Sequence, residues 1–85
     1  DKNRKKNSIS KTEFFEKIKD QYDHLYDNVY KKKKHCNGIN KAEYLEWDAL
    51  HNDVEAYNKR KIHLGSIDPE ELCFYKEPVK GRRLN

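Results

Sequence analysis

Residues 9–14 read Ile-Ser-Lys-Thr-Glu-Phe, with a serine that can cap a helix and a glutamate three positions later. The arrangement returns at residues 39–44, Ile-Asn-Lys-Ala-Glu-Tyr, and at residues 67–72, Ile-Asp-Pro-Glu-Glu-Leu. Such a capping box satisfies the first backbone N–H groups of a helix, and the apolar residue before the cap contacts the next apolar residue inside it. Three of these signals in 85 residues predict three helices.

Stop signals give the length of each predicted helix. Gly38 is placed to end the first helix, Gly65 lies beyond the second, and Pro78 prevents the third from continuing. The predicted helices span residues 11–36, 41–62 and 69–76. Because Gly38 leaves only a short connection, the first two helices are expected to be antiparallel. The expected fold is all-α: a long antiparallel two-helix hairpin closed by a short third helix, a small helical bundle without strands.

Apolar residues at helical spacing predict where the helices meet. Trp47, Leu50 and Val54 share one seam of the second helix, facing the first. Four further apolar side chains lie beside the predicted seams: Phe15, Tyr26, Tyr30 and Leu45. Since exposed apolar patches usually mark interfaces, we predict that these four bind a partner helix or a second copy of the chain, as in a coiled coil. The alternative is that the tyrosines are half-exposed at the margin of the core.

The domain organisation follows from composition. The chain is long enough for one small domain, which we place at residues 10–77 between basic flexible tails at residues 1–9 and 78–85. Because the chain contains no methionine, we expect it to be a domain excised from a larger protein or a processed product. No apolar run is long enough for a membrane span. Two widely separated cysteines favour free thiols in an intracellular reducing compartment.

Basic residues are concentrated in clusters. The two clusters inside the predicted domain form a candidate basic patch: Lys31, Lys32, Lys33, Lys34, Lys59, Arg60 and Lys61. In a helical hairpin the first cluster lies at the connecting tip and the second at the open end, with acidic helix bodies between them. A nucleic-acid site needs a continuous basic surface, so this separation disfavours one.

No pattern for catalysis, cofactor binding or metal binding stands out in the sequence. His35-Cys36 is the only adjacent histidine–cysteine pair, and zinc ligands normally come in close pairs. The predicted hairpin also leaves little room for a cleft. We therefore predict a non-enzymatic helical protein–protein interaction module without cofactor, metal or catalytic residues. The alternative is a basic helical nucleic-acid-binding domain that uses the lysine and arginine clusters.

Overall fold

The computed structural model describes residues 9–84 and contains one short helix and a six-stranded antiparallel sheet. The elements are α1 (Lys11–Ile18), β1 (Tyr22–Tyr26), β2 (Val29–Lys32), β3 (Tyr44–Asp48), β4 (Asp53–Tyr57), β5 (His63–Ile67) and β6 (Phe74–Lys76). Strands that follow one another in the chain are also neighbours in the sheet, so the order is β1 to β6. The sheet is therefore a simple meander.

The predicted all-α fold is wrong, and so are the helical hairpin and the coiled coil. Where helices were expected over residues 11–36, 41–62 and 69–76, the described chain has α1 and six strands. Turns interrupt both long segments, at Asp27 and Asn52, where φ is +44° and +53°. Aspartate and asparagine tolerate this left-handed conformation better than other non-glycine residues. These turns connect strands instead of continuing a helix.

The first capping box is confirmed, but it opens a helix of only eight residues. The Glu13 amide donates to Ser10 Oγ over 3.1 Å, and the Ser10 amide donates to the Glu13 carboxylate over 2.9 Å. Past Ile18 the aromatic and β-branched residues of β1 and β2 favour a strand. The cap thus predicts where a helix begins and not how far it runs.

The other two capping signals form turns. Asn40 and Lys41 both have positive φ, which no helix accommodates. Asp68 accepts hydrogen bonds from the amides of Glu70 and Glu71, but the chain reverses at Leu72, where φ is +57°. Side chains that cap helices also stabilise isolated turns, because both expose unpaired N–H groups.

Apolar and polar residues alternate in β3 and β4, the two central strands of the sheet. In β3, Leu45 and Trp47 alternate with polar residues, and in β4, Val54 and Ala56 do the same. Alternation places these four side chains on one face of the sheet. Leu50, expected on the helical seam, lies in the turn between the strands and is 85% exposed.

Helix α1 covers the apolar face of the sheet. Phe14 lies at the centre, with its ring centroid 5.4 Å from that of Trp47 and 6.0 Å from that of Tyr30. The buried core also includes Ile18, Tyr22, Ala42, Leu45, Val54, Ala56 and Ile67. Gly65 in β5 has φ +137°, and a Cβ there would come within 2.6 Å of the Lys76 carbonyl oxygen, so close approach of β6 requires glycine. In residues 9–84, no helix lies on the opposite face of the sheet.

The C-terminal segment, residues 77–84, lies against that opposite face. The His63 amide donates to the Arg82 carbonyl over 3.1 Å, and the Leu84 amide donates to the Lys61 carbonyl over 2.9 Å. Leu84 is buried against Val29 and Tyr57. Four residues of the expected tail at residues 78–85 are hydrogen-bonded to earlier parts of the chain: Val79, Arg82, Arg83 and Leu84. Residues 1–8 of the other expected tail lie outside the described residues. Within residues 9–84, no helix is both long and apolar enough to cross a bilayer.

Candidate functional site

The side of the sheet opposite α1 presents polar side chains from three adjacent strands, here called the polar face. Residues paired directly opposite each other share a face. The central pairs are Glu46 with Glu55 and Asp48 with Asp53, on β3 and β4. The polar face consists of Tyr44, Glu46, Asp48, Asp53, Glu55, Tyr57, His63 and Ser66. Four carboxylates thus occupy neighbouring positions on two strands.

Each of these carboxylates has a hydrogen-bonding partner. The pairs are Glu46 with Tyr57 Oη at 3.0 Å, Glu55 with His63 Nε2 at 2.7 Å, Asp53 with Lys76 Nζ at 2.7 Å, and Asp48 with His51 Nδ1 at 3.0 Å. Like charges directly opposite each other destabilise a sheet. A stable sheet does not need this cluster, and such clusters of ionisable groups are typical of functional sites.

Glu55 is, with Asp53, one of the two carboxylates of this group that are almost fully buried. Its side chain is only 5% exposed, and its Oε1 accepts hydrogen bonds from His63 Nε2 and from Ser66 Oγ, the latter over 2.8 Å. No donor within residues 9–84 lies in hydrogen-bonding distance of the second oxygen, Oε2. A buried carboxylate oxygen without a donor is unfavourable and indicates a place for a ligand.

Asp48 and His51 form a second acid–base pair at the β3–β4 turn. Asp48 Oδ2 lies 3.0 Å from His51 Nδ1, and Asp48 Oδ1 accepts from the amides of Leu50 and His51. Burial raises the pKa of Asp48, but the hydrogen bonds from His51 and Leu50 outweigh it and lower that pKa below its ordinary value. The ionised Asp48 holds the His51 ring, which is 61% exposed. A carboxylate on one ring nitrogen is the arrangement that orients a histidine for proton transfer.

A cleft of about 850 Å³ opens beside Glu46, one of the four carboxylates. Its lining includes Glu46, Tyr57, Arg82, Lys11 and Arg83. Arg82 Nε donates to Tyr57 Oη over 3.2 Å, and in the described chain its two terminal nitrogens have no acceptor within reach. An arginine with unused donors beside a cleft is suited to bind a phosphate or carboxylate.

The tyrosine between Glu46 and Arg82 stays protonated. Burial raises the pKa of Tyr57 to about 12. Burial lowers the pKa of Arg82, but the hydrogen bond to Tyr57 and the nearby Glu55 and Glu46 charges raise it above its ordinary value overall. The negative charges of Glu46 and Glu55 therefore stabilise the cationic form of the guanidinium.

The two predicted basic clusters lie together and not at opposite poles. Lys31–Lys34 and Lys59 line one groove of about 560 Å³. Lys31 Nζ and Lys61 Nζ lie on the ring of Tyr44, 5.1 and 5.6 Å from its centroid. The meander explains this, because Lys31, Tyr44 and Tyr57 occupy one row across β2, β3 and β4. The expected separation of charge, which disfavoured a nucleic-acid site, is therefore wrong.

Several lysines of this groove are paired within it. Lys31 Nζ donates to Glu43 over 2.9 Å, which raises the pKa of Lys31 and lowers the pKa of Glu43. Lys32 Nζ donates to the Cys36 carbonyl over 2.7 Å. Lys34, Lys59 and Arg60 are exposed to solvent. The groove keeps a net positive charge beside the polar face.

The four predicted partner-binding residues do not form one exposed stripe. Tyr30 and Leu45 are buried in the core, and Phe15 stacks on Tyr30 with ring centroids 5.3 Å apart. Tyr26 is 40% exposed and lines the cleft. Whether any of the four contacts a partner stays a prediction.

A protein-family model described as Cytotoxic matches residues 30–85. The chain belongs to the Cytotoxic family. The search of the curated proteins and the search of the solved structures each gave no significant match. The Cytotoxic match runs from β2 through the C-terminal segment, so it includes the whole polar face, whereas α1 and β1 precede it.

Other chemistry-bearing residues lie outside the polar face. Cys36 is half-buried and Cys73 is exposed, both as free thiols. Among residues 9–84, no three histidine, cysteine or acidic side chains are grouped so that they could hold a metal ion.

The sequence-based prediction missed the site residues because it placed them on helices, with a period of about 3.6 residues, instead of strands, with a period of two. At helical spacing Glu46 points away from Asp48 and Glu55, whereas at strand spacing all three share one face. The signal that could have found them is the alternation of acidic and apolar residues in 44–48 and 53–57, on either side of a turn that contains Asn52. The Cytotoxic match then falls on this hairpin and the segments that follow it.

Proposed function

We propose that this Cytotoxic-family domain is a toxin that cleaves RNA by general acid–base catalysis on its polar face. The observation that carries the proposal is the buried Glu55, whose Oε1 is held by two donors while Oε2 has no donor in the described chain. Arg82 and the Asp48–His51 pair lie on the same side of the sheet. A base, an acid and a cation are therefore grouped beside a basic surface.

RNA suits this set of groups because it carries its own nucleophile. A base removes the proton from the 2′-hydroxyl, and the 2′-oxygen attacks the adjacent phosphorus. The bond from phosphorus to the 5′-oxygen breaks, and that oxygen takes a proton from the acid. The products are a 2′,3′-cyclic phosphate and a free 5′-hydroxyl. Positioned proton transfer of this kind contributes about 10²- to 10⁴-fold in rate.

We assign the base to Glu55 and the acid to His51. Glu55 is oriented by its two donors, and its open oxygen can accept the 2′-hydroxyl proton. His51 is exposed, and its Nδ1 lies 3.0 Å from the carboxylate of the ionised Asp48, which orients the ring. Asp48 lies one polar-face position beyond Glu46 and Glu55, which is about 7 Å along the strand. That spacing leaves room for a phosphodiester between base and acid.

Arg82 supplies the positive charge that the reaction needs. Negative charge on the phosphate oxygens grows as the 2′-oxygen attacks, and a fixed guanidinium stabilises that charge in the transition state. The groove lined by Lys31–Lys34 and Lys59 would bind neighbouring phosphates of the strand.

The proposal departs from the non-enzymatic module expected from the sequence, an expectation that no observation tests directly. The helical part of that prediction is wrong, since the described chain is mainly sheet. The nucleic-acid alternative gains support, because the basic clusters adjoin one another. The family description, Cytotoxic, supports a toxin.

The test is cleavage of a 5′-labelled RNA by the purified chain and by matched variants. Glu55→Gln, His51→Ala and Arg82→Gln should each lower the cleavage rate by about 10²-fold or more. Glu77→Gln and His35→Ala change the same residue types at exposed positions and should leave the rate unchanged. Absence of cleavage by the wild-type chain, or equal rates for Glu55→Gln and Glu77→Gln, would contradict the proposal.

A further inference from the structure

His63 is buried beneath the C-terminal segment, with both ring nitrogens in hydrogen bonds. Its side chain is 1% exposed and packs beside Tyr57, with ring centroids 5.4 Å apart. Nε2 lies 2.7 Å from Glu55 Oε1, and Nδ1 lies 2.8 Å from the backbone nitrogen of Val79. The ring therefore bridges the central carboxylate and the C-terminal segment.

These two contacts determine where the ring proton lies. A backbone N–H can only donate, so Nδ1 must accept the hydrogen bond from Val79 and carry no proton. The single proton of the neutral ring then lies on Nε2 and is donated to Glu55 Oε1. A doubly protonated ring would place an N–H of Nδ1 against the N–H of Val79. The geometry therefore requires the neutral Nε2–H form.

The same ring also holds the segment that carries Arg82. The Val79 amide donates to the ring, and the backbone amide of His63 donates to the Arg82 carbonyl over 3.1 Å. Arg82 Nε then reaches Tyr57, which is paired directly opposite His63 on β4. One residue is thus hydrogen-bonded both to the carboxylate and to the segment that bears the guanidinium.

We propose that His63, in its neutral Nε2–H form, is a positioning residue that orients the Glu55 carboxylate and holds the Arg82 segment in register. This inference rests on the proposed function, in which Glu55 is the base and Arg82 the phosphate anchor. With Ser66, His63 directs two donors at Oε1 and leaves Oε2 for the 2′-hydroxyl. His63 itself exchanges no proton with the substrate.

Two substitutions separate the two tasks. In His63→Gln the amide group can occupy the place of Nε2 and donate to Glu55, while the contact to Val79 is lost. In His63→Asn the amide oxygen can occupy the place of Nδ1 and accept from Val79, while the donor to Glu55 is lost. We expect His63→Gln to lower kcat because the Arg82 segment loses its register, and His63→Asn to lower kcat because Glu55 loses a donor, so that the pH profile separates the two variants. The expected loss in kcat is about 10- to 100-fold, equivalent to one hydrogen bond to a charged group.

The pH profile gives a readout that a purely structural role would not move. A carboxylate with fewer donors holds its proton more tightly, so the acidic limb of kcat/KM should move to higher pH in His63→Asn. Ser66→Ala removes the second donor to the same oxygen and should shift the limb in the same direction. An acidic limb that lies at the same pH in both His63 variants and in the wild type would overturn the positioning role.

The ring proton can be tested without any activity. In the wild-type chain with ¹⁵N-labelled histidine, the His63 resonances, assigned by their loss in His63→Gln, should show a protonated Nε2 and a bare Nδ1 near neutral pH. A proton on Nδ1 would overturn the inference even if RNA is cleaved. If RNA is not cleaved but Nε2 carries the proton, the proposed function fails and the catalytic part of this inference fails with it, whereas the bridge geometry stands.

Discussion

Truncating Leu45 and Leu50 to alanine distinguishes the sheet from the helical hairpin. The helical prediction placed Leu50 on the buried seam and Leu45 at an exposed, partner-binding position. The structure reverses the two, with Leu45 fully buried beneath α1 and Leu50 85% exposed in the β3–β4 turn. The same chemical change at two positions five residues apart therefore has opposite expected effects.

The magnitude follows from what each side chain buries. Leu→Ala removes three carbon groups, worth about 0.8 kcal/mol each when they are fully buried. The cavity left beside Phe14 and Trp47 adds to this loss, so Leu45→Ala should cost about 2–5 kcal/mol. A domain of this size holds roughly 4–13 kcal/mol in total. Leu50→Ala should stay within about 0.5 kcal/mol of the wild type.

Urea unfolding followed by the fluorescence of Trp47 measures both variants. With a slope of about 1 kcal/mol per molar urea, the Leu45→Ala midpoint should fall by at least about 2 M. The melting temperature should fall by roughly 10–30 °C. The Leu50→Ala midpoint should match the wild type. A larger loss for Leu50→Ala than for Leu45→Ala would refute the sheet and restore the helical seam.

Three further predictions test local features. Gly65→Ala should destabilise the domain by more than about 1 kcal/mol in the same unfolding assay, because its Cβ would meet the Lys76 carbonyl. In an alkaline absorbance titration, the Tyr57 hydroxyl should ionise only near pH 12, and Tyr57→Phe should remove that last step. The folded state favours protonated Tyr57, so its contribution to stability should be lost as pH rises from about 10 to 12. The pKa of Asp48 is lowered in the folded state, so its contribution to stability is present above the unfolded pKa and is lost as pH falls through the folded pKa. Asp48→Asn should reduce that loss of stability in acid.

Local capping was the most predictable part of the fold. The Ser10–Glu13 box is identifiable from four residues, because both of its hydrogen bonds are made within one turn. The burial of Trp47 was also predictable, since Trp47 lies on the apolar face of either a helix or a strand. The type of secondary structure was not predictable. Apolar residues whose spacing places them on one face of a helix can equally be paired residues of two neighbouring strands. The spacing of Trp47 and Val54 fits both structures.

The candidate site depends on pairing between strands, which no single stretch of sequence contains. Glu46 and Glu55 become neighbours only when the turn at Asn52 aligns β3 with β4. His63 joins them through β5, and Val79 through the return of the C-terminal segment. The residue types were visible in the sequence, but their proximity required the register of three strands.

The most direct test of RNA cleavage by the polar face is a substrate that lacks the nucleophile. Two RNA oligonucleotides of the same sequence are compared, one unmodified and one with 2′-O-methyl groups at every position. We predict that the unmodified strand is cut to fragments that end in a 2′,3′-cyclic phosphate, identified by mass spectrometry, and that the methylated strand stays intact. Cleavage of the methylated strand, or an intact unmodified strand, would contradict the account.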